Sequence, residues 1–310
     1  MIFKHILSAN QFLDKNILVT IFKRTNRFEA LDKKDKLPQP LKGKILSCLF
    51  YEPSTRTRFS FESAMLKLGG QVISAESAGQ FSSASKGETL EDSIKVISGY
   101  TDIIVLRHPE IGSAQKASGV CNIPIINAGD GAGEHPTQAL LDIYTVYKEL
   151  GRFDNFKIAI AGDLLHSRTI HSLVQLLGAC NNIEIFLISP KQLRLPQKYR
   201  VILKKNKVKV SQLDNFGSIL PTIDILYTNR IQKERFASPK LYEKIKNSFV
   251  FDKKLLKKLK PTAAILNPLP RVNEISPEVD KDKRAAYFRQ AKNGLYIRMV
   301  LLEILLKKSE

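Results

Sequence analysis

Ser54-Thr55-Arg56-Thr57-Arg58 puts three hydroxyls and two guanidinium groups immediately after an apolar run, Ile45–Tyr51. The residues that follow place Phe61, Ala64, Met65 and Leu68 at the i, i+3, i+4, i+7 spacing of an amphipathic helix. Ser54 and Thr55 therefore sit near a helix N-terminus, where backbone N–H groups and the helix dipole favour an anion. With hydroxyl and guanidinium donors on the same turn, the chemistry is that of a phosphate cradle built without a glycine-rich loop. Spacing alone leaves a second reading open, in which Ser54 only caps the helix and the arginines are solvated.

Two more arginines stand at the ends of apolar runs. Arg168 follows Ile158–Ala161 and its Gly162-Asp163 turn, and Arg230 follows Ile223–Tyr227. The planar fork of an arginine matches both oxygens of a carboxylate, although a surface ion pair is the plainer use. His135 opens the stretch His135-Pro136-Thr137-Gln138. A lone histidine is more often a hydrogen-bond donor than a general acid.

The elements that must position these residues show as short apolar runs with helix-period segments between them. The first half has Ile45–Tyr51, Val72–Ser74, Asp102–Leu106 and Ile123–Asn127. The second has Ile158–Ala161, Ile183–Ile188, Val208–Val210, Ile223–Tyr227 and Ala263–Leu266. This alternation predicts an α/β protein with two doubly wound parallel-sheet domains joined by long helices. In such sheets ligands bind beyond the carboxyl ends of the strands. Glu134–Leu150, with Leu140, Leu141, Tyr144 and Tyr147, predicts a helix joining the halves, and Tyr287–Lys307 predicts one that returns to the first domain. The domains are expected at 1–140 with the C-terminal helix 288–310, and at 141–287.

At 310 residues, 43% hydrophobic and 25% charged, the chain has an ordinary globular make-up and is too long for one comfortable core. No apolar run is long enough to span a bilayer, and the N-terminus does not read as a signal peptide. Cys48, Cys121 and Cys180 are far apart and odd in number, which fits neither a disulfide framework nor a zinc site. Buried thiols in a reducing, cytoplasmic compartment are the expectation. The formal charge of +19 invites a nucleic-acid partner, but the lysines cluster in Lys204–Val210 and Lys253–Lys260. The second cluster is spaced as an amphipathic helix, with Leu255, Leu256 and Leu259 on its apolar side. No helix-turn-helix, zinc-finger or RNA-recognition signature accompanies the charge. A solvated basic face is the simpler reading, so neither nucleic acid nor membrane is expected as a partner.

Taken in order, these stretches resemble the aspartate/ornithine carbamoyltransferase family over nearly the whole chain. Besides Ser54–Arg58 and His135–Gln138, the resemblance rests on Lys86-Gly87-Glu88-Thr89, Arg107-His108-Pro109, Asn127-Ala128-Gly129-Asp130-Gly131 and Gly162-Asp163-Leu164. Arg168-Thr169, Arg230-Ile231-Gln232-Lys233-Glu234-Arg235 and Pro268-Leu269-Pro270-Arg271 complete it. The resemblance implies transfer of a carbamoyl group from carbamoyl phosphate to an amine, in a cleft between two domains that closes over its substrates, without metal or organic cofactor.

By that resemblance Ser54, Thr55, Arg56 and Thr57 hold phosphate oxygens, joined by Ser82, for which a one-residue slip would substitute Ser83. Thr57, Arg107 and His135 face the carbonyl oxygen, so that Arg56, Thr57, Arg107 and His135 form the catalytic set, His135 acting as a donor. Gln138 and main-chain carbonyls around Pro268 and Leu269 hold the carbamoyl NH₂, and the Leu269–Pro270 bond is cis in the family. Arg168, Arg230, Gln232 and Lys86 match positions that bind aspartate. Aspartate brings two carboxylates and needs several cations. The ornithine branch instead uses an Asp and a Ser-Met-Gly segment where this chain reads Thr228–Gln232, and a Cys in place of Pro268.

The implied product is N-carbamoyl-L-aspartate, with phosphate, in de novo pyrimidine biosynthesis. Two rivals are an ornithine acceptor and a non-catalytic paralogue that binds nucleic acid. The implied assembly is a homotrimer with shared active sites, in which the loop Ser74–Lys86 carries Ser82 and Lys86 to a neighbour. Separate regulatory chains are a further candidate partner. Two departures stand out: Ser85, where a basic residue is frequent, and Asn267, where many members have His. The implied acceptors next to Asn267 are main-chain carbonyls, so little loss of activity is expected from that change.

Overall fold

The apolar runs become parallel strands, most of them buried on both faces. A computed structural model describes residues 3–78, 87–232, 236, 239–246 and 248–307. In chain order the elements are α1 (Lys15–Asp32), β1 (Ile45–Phe50), α2 (Thr55–Lys67), β2 (Gln71–Glu76), α3 (Leu90–Ser98), β3 (Ile103–His108), α4 (Ser113–Gly119), β4 (Ile125–Asp130) and α5 (Pro136–Leu150). They continue as β5 (Lys157–Ala161), α6 (Arg168–Leu177), β6 (Glu184–Ile188), α7 (Gln197–Lys205), β7 (Lys209–Leu213), β8 (Ile225–Thr228), α8 (Pro239–Ile245), α9 (Lys253–Leu256), β9 (Ala264–Leu266) and α10 (Tyr287–Leu306). Short 3₁₀ turns punctuate the loops, the first at Ala9–Phe12. The chain divides into two compact units, 1–140 with 292–310, and 141–291.

The first unit holds a parallel sheet in the order β2-β1-β3-β4. β4 is buried along its whole length, whereas β2, at the sheet edge, leaves several residues exposed. α2 turns Thr57, Phe61, Ala64 and Met65 inward. Burying Phe61 and Met65 contributes about 1.5–3 kcal/mol each, which holds this helix and its N-terminus against the sheet. The second unit holds a parallel sheet in the order β7-β6-β5-β8-β9, over a core that includes Ala159, Leu226, Phe251, Ile265 and Tyr287. In each sheet the strand order reverses once, between β1 and β3 and between β5 and β8. Loops leaving those strand ends diverge and open a crevice.

Four local expectations change. The amphipathic helix expected over Lys253–Lys260 is one turn, α9, because Pro261 and the start of β9 leave no room for more. Its Leu256 and Leu259 are buried, Lys253, Lys254, Lys257 and Lys258 are exposed, and Lys260 is bound to Asp224 at 2.6 Å. Ser74–Glu76, expected in a loop, belongs to β2 and pairs with Cys48–Phe50. The joining helix begins at Pro136, because Glu134 is used as an anchor for the N-terminal segment. Cys121 is half-buried, unlike Cys48 and Cys180. Burial pushes the Cys48 thiol well up, so it stays protonated in the core. Among the described residues, no helix is long and apolar enough to cross a membrane.

Candidate active site

Register in the first sheet brings three distant stretches to one edge. Phe50, the last residue of β1, pairs with Arg107 in β3, and the Tyr51 N–H donates to the Arg107 carbonyl at 2.8 Å. On the other side of β3, His108 pairs with Asp130 at the end of β4. Ser54–Thr57, Arg107 and His135 therefore leave neighbouring strand ends.

Ser54 occupies the N-cap position of α2, but its side chain makes no capping hydrogen bond. Its N–H donates to Glu76 Oε1 at 3.3 Å. The two arginines of this turn differ. Arg58 is ion-paired with Glu76 at 3.0 Å and Glu62 at 3.3 Å and lies over the Phe59 ring, while Arg56 and Thr55 are exposed. Thr57 is buried. Arg107 is held near Glu52, with Nε 3.6 Å from Oε2, and reaches the Ala128 carbonyl at 3.4 Å.

The loop that delivers His135 is pinned from several directions. Asp130 accepts from the Glu134 N–H at 2.6 Å and the Gly112 N–H at 2.9 Å. Gly131, at φ +55°, passes so close to Pro109 that a Cβ there would lie 2.2 Å from its carbonyl oxygen. Glu134 in turn accepts from Ser8 Oγ at 2.9 Å and the Ala9 N–H at 2.7 Å. His135 is buried and opens α5, its carbonyl accepting from the Gln138 and Ala139 N–H groups.

The second unit repeats the plan. Ala161 pairs with Thr228, and the Asn229 N–H donates to the Ala161 carbonyl at 2.8 Å. Gly162, at φ +120°, leaves no space for a side chain, since a Cβ would lie 1.9 Å from the Asn229 carbonyl oxygen. Asp163 is wholly buried and ties its loop by accepting from the Leu165 and His166 N–H groups and the His166 ring. Ser167 then caps α6, whose first residue is Arg168. Arg230 follows β8 closely, half-buried like Gln232, and lines an open recess with Tyr242, Lys246, Asn273 and Glu274. After β9 the chain runs through Asn267 to Leu269, which has φ +54° and a cis bond to Pro270. Leu269 is half-buried and Pro270 is exposed.

Ser82 and Lys86 lie outside the described residues. Ser54–Thr57 follow β1 and Arg107 lies in β3, the strands that flank the reversal of the first sheet, while Arg168, Arg230 and the Leu269 turn follow β5, β8 and β9 of the second. The sequence reading missed the carboxylates Glu52 and Glu76, which hold Arg107 and Arg58, and the tie from Glu134 to Ser8. Glu62, at i+4 from Arg58, was the only one of these partners with a local signal.

Residues 4–148 match the carbamoyl-P binding domain of aspartate/ornithine carbamoyltransferases, and residues 154–305 match the Asp/Orn binding domain. The chain belongs to the aspartate/ornithine carbamoyltransferase family. Within this carbamoyltransferase family, the aspartate carbamoyltransferase catalytic subunit of Leptospira biflexa is 50% identical over 301 residues, covering 96% of this chain and 95% of its own. The catalytic subunit of M. jannaschii aspartate transcarbamoylase superimposes with a TM-score of 0.91 at 45% identity, covering 98% of both chains. The Trypanosoma cruzi enzyme, solved in complex with carbamoyl phosphate and aspartate, gives 0.92 at 37% identity, covering 98% of this chain and 97% of its own.

Proposed function

We propose that the protein transfers the carbamoyl group of carbamoyl phosphate to the amine of L-aspartate, giving N-carbamoyl-L-aspartate and phosphate for pyrimidine biosynthesis. What supports this reading most is placement: Ser54–Thr57 and Arg107 belong to the two strand ends at one sheet reversal, and Arg168 and Arg230 follow the two strands at the other. Ser54–Thr57 with Arg107 suit a phosphorylated carbonyl compound, and Arg168 with Arg230 suit a dicarboxylate.

The reaction asks for little proton chemistry from the protein. The amine nitrogen attacks the carbonyl carbon, the C–N bond forms, and the carbonyl oxygen takes up negative charge. Thr57, Arg107 and His135 donate to that oxygen. The C–O bond to phosphate then breaks, and phosphate leaves with the electron pair and the proton released by the amine. Ser54, Thr55, Arg56 and Thr57 hold the leaving group as its charge grows, aided by the N-terminus of α2. Ser82 joins them. Gln138 and the main-chain carbonyls of the Pro268–Pro270 turn accept from the carbamoyl NH₂, which has only donors to offer. Catalysis is thus mostly alignment and fixed charge.

Arg168, Arg230, Gln232 and Lys86 hold the two carboxylates of aspartate. Ornithine would bring a distal ammonium toward these cations, a like-charge contact that disfavours it. The unit 1–140 with the C-terminal helix takes carbamoyl phosphate and the unit 141–287 takes aspartate. The working form is a cytoplasmic homotrimer in which Ser82 and Lys86 serve a neighbour's site, and separate regulatory chains are candidate partners. In the direct test, purified protein given both substrates releases phosphate and carbamoyl aspartate in equal amounts. Absence of carbamoyl aspartate at saturating substrates sinks the reading.

A further inference from the structure

A buried polar network in the second unit ends on the Leu269 turn. Asn267 is 1% exposed, and its side chain uses both ends. Oδ1 accepts the Leu269 N–H at 2.7 Å, and Nδ2 donates to Thr228 Oγ1 at 3.1 Å and Glu274 Oε1 at 3.0 Å. The other oxygen of Glu274 accepts the Val272 N–H at 2.9 Å. The Asn267 N–H donates to Gln290 Oε1 at 2.8 Å, and Gln290 Nε2 donates to Asp142 Oδ1 at 2.7 Å. Asp142 Oδ2 accepts the Tyr227 hydroxyl at 2.8 Å. Thr228, Glu274, Gln290, Asp142 and Tyr227 are all buried.

Two buried carboxylates are costly unless fully hydrogen-bonded, and an apolar core would serve a merely structural turn as well. What such a network supplies is orientation, because each member fixes the next. It fixes a residue that needs fixing: Leu269 is a branched, non-glycine residue in the left-handed region, a conformation that persists only when its surroundings impose it.

We propose that Asn267 is a positioning residue for the carbamoyl group. Clamped between Thr228 and Glu274, it holds the Leu269 N–H and so aims the main-chain carbonyls of this turn at the carbamoyl nitrogen. The inference rests on the reading above that the carbamoyl NH₂ binds at this turn. Its consequence is specific. Inorganic phosphate lacks the carbamoyl group, so its binding does not depend on the turn, whereas the preference for carbamoyl phosphate over phosphate does. An imidazole offers one nitrogen to accept from Leu269 and one N–H to donate to Glu274, which makes Asn267→His the conservative replacement.

Calorimetric affinities for carbamoyl phosphate and for inorganic phosphate test this in the full-length parent, Asn267→Ala, Asn267→His and Glu274→Gln, with thermal unfolding recorded for each. Glu274→Gln keeps the shape but turns one acceptor into a donor facing an N–H. Asn267→Ala and Glu274→Gln are expected to lose roughly tenfold in the preference for carbamoyl phosphate, the scale of one hydrogen bond, with phosphate affinity within about twofold of the parent. Turnover should fall more than the aspartate KM rises, and Asn267→His should keep the parental preference. A folded Asn267→Ala with the parental preference overturns the proposal. If Asn267→Ala does not fold, Glu274→Gln with the parental preference overturns it instead. Parental phosphate affinity in Arg56→Ala would mark a different failure, that of the phosphate-cradle reading itself.

Discussion

Between Ser54 and Arg58 the two arginines divide the work according to their neighbours. Glu62 and Glu76 hold Arg58, while Arg56 stands exposed at the helix start. Arg56→Ala is therefore expected to lower kcat by about 10²–10³-fold, the usual loss for one fixed donor to a developing charge, with the melting temperature near that of the parent. Arg58→Ala should instead lower stability by about 1–3 kcal/mol in urea unfolding, because it takes the cation they share from two partly buried carboxylates. The reverse pattern would mean that the roles are exchanged. Arg230→Ala should raise the aspartate KM and lower kcat at a cost of about 2–5 kcal/mol, leaving carbamoyl phosphate affinity unchanged in a binding titration. Residue types at strand ends were readable from the chain alone, since hydroxyls and guanidiniums after an apolar run announce themselves. Their partners were not. Asn267 stood out in the sequence only as a departure from the family's His, since its partners Thr228, Gln290 and Glu274 stand 39, 23 and 7 positions away and only the fold brings them to it.

Elements follow from burial, and so does their legibility. Each apolar run that predicted a strand became one, most of them as continuous hydrophobic stretches buried on both faces, with β2 and β7 the exceptions. Edges and ends were harder to read. Ser74–Glu76 carries polar residues in a strand with no buried position, and α9 is cut short by Pro261 despite its leucine spacing. The link from β8 to α5 through Tyr227 and Asp142 is open to a stability test. Tyr227→Phe removes a donor from a buried carboxylate and should cost about 1–3 kcal/mol in denaturant unfolding. Burial, with the Asp142 carboxylate beside it, pushes the Tyr227 phenol well above its ordinary value of 10.0. Above that pH the unfolded chain releases a proton that the folded chain keeps, so the raised pKa stabilises the fold below it and the stability is lost as pH rises. The parent should lose stability more steeply above pH 10.0 than Tyr227→Phe does. Equal alkaline slopes would remove Tyr227 from the network.

At the scale of the whole molecule, the proposed trimer makes a claim that neither unit makes by itself. Lys86→Ala and Arg56→Ala should each be inactive, and mixing and reassembling their subunits should restore part of the activity. A random trimer then holds at most one interface where an intact loop meets an intact phosphate cradle. Hybrids as inactive as their parents, after proven subunit exchange, would place Lys86 outside its neighbour's site. The doubly wound plan and its division near residue 140 could be read from the order of the runs, whereas the assembly rests on the family resemblance, because the sequence from Ser77 to Lys86 carries no period to declare its destination. The central claim is the identity of the acceptor, and the ratio of kcat/KM for L-aspartate to that for L-ornithine, at saturating carbamoyl phosphate, tests it most directly. Two arginine sites left without their second carboxylate predict a preference for aspartate on the order of 10⁴. Equal rates, or faster carbamoylation of ornithine, would contradict it.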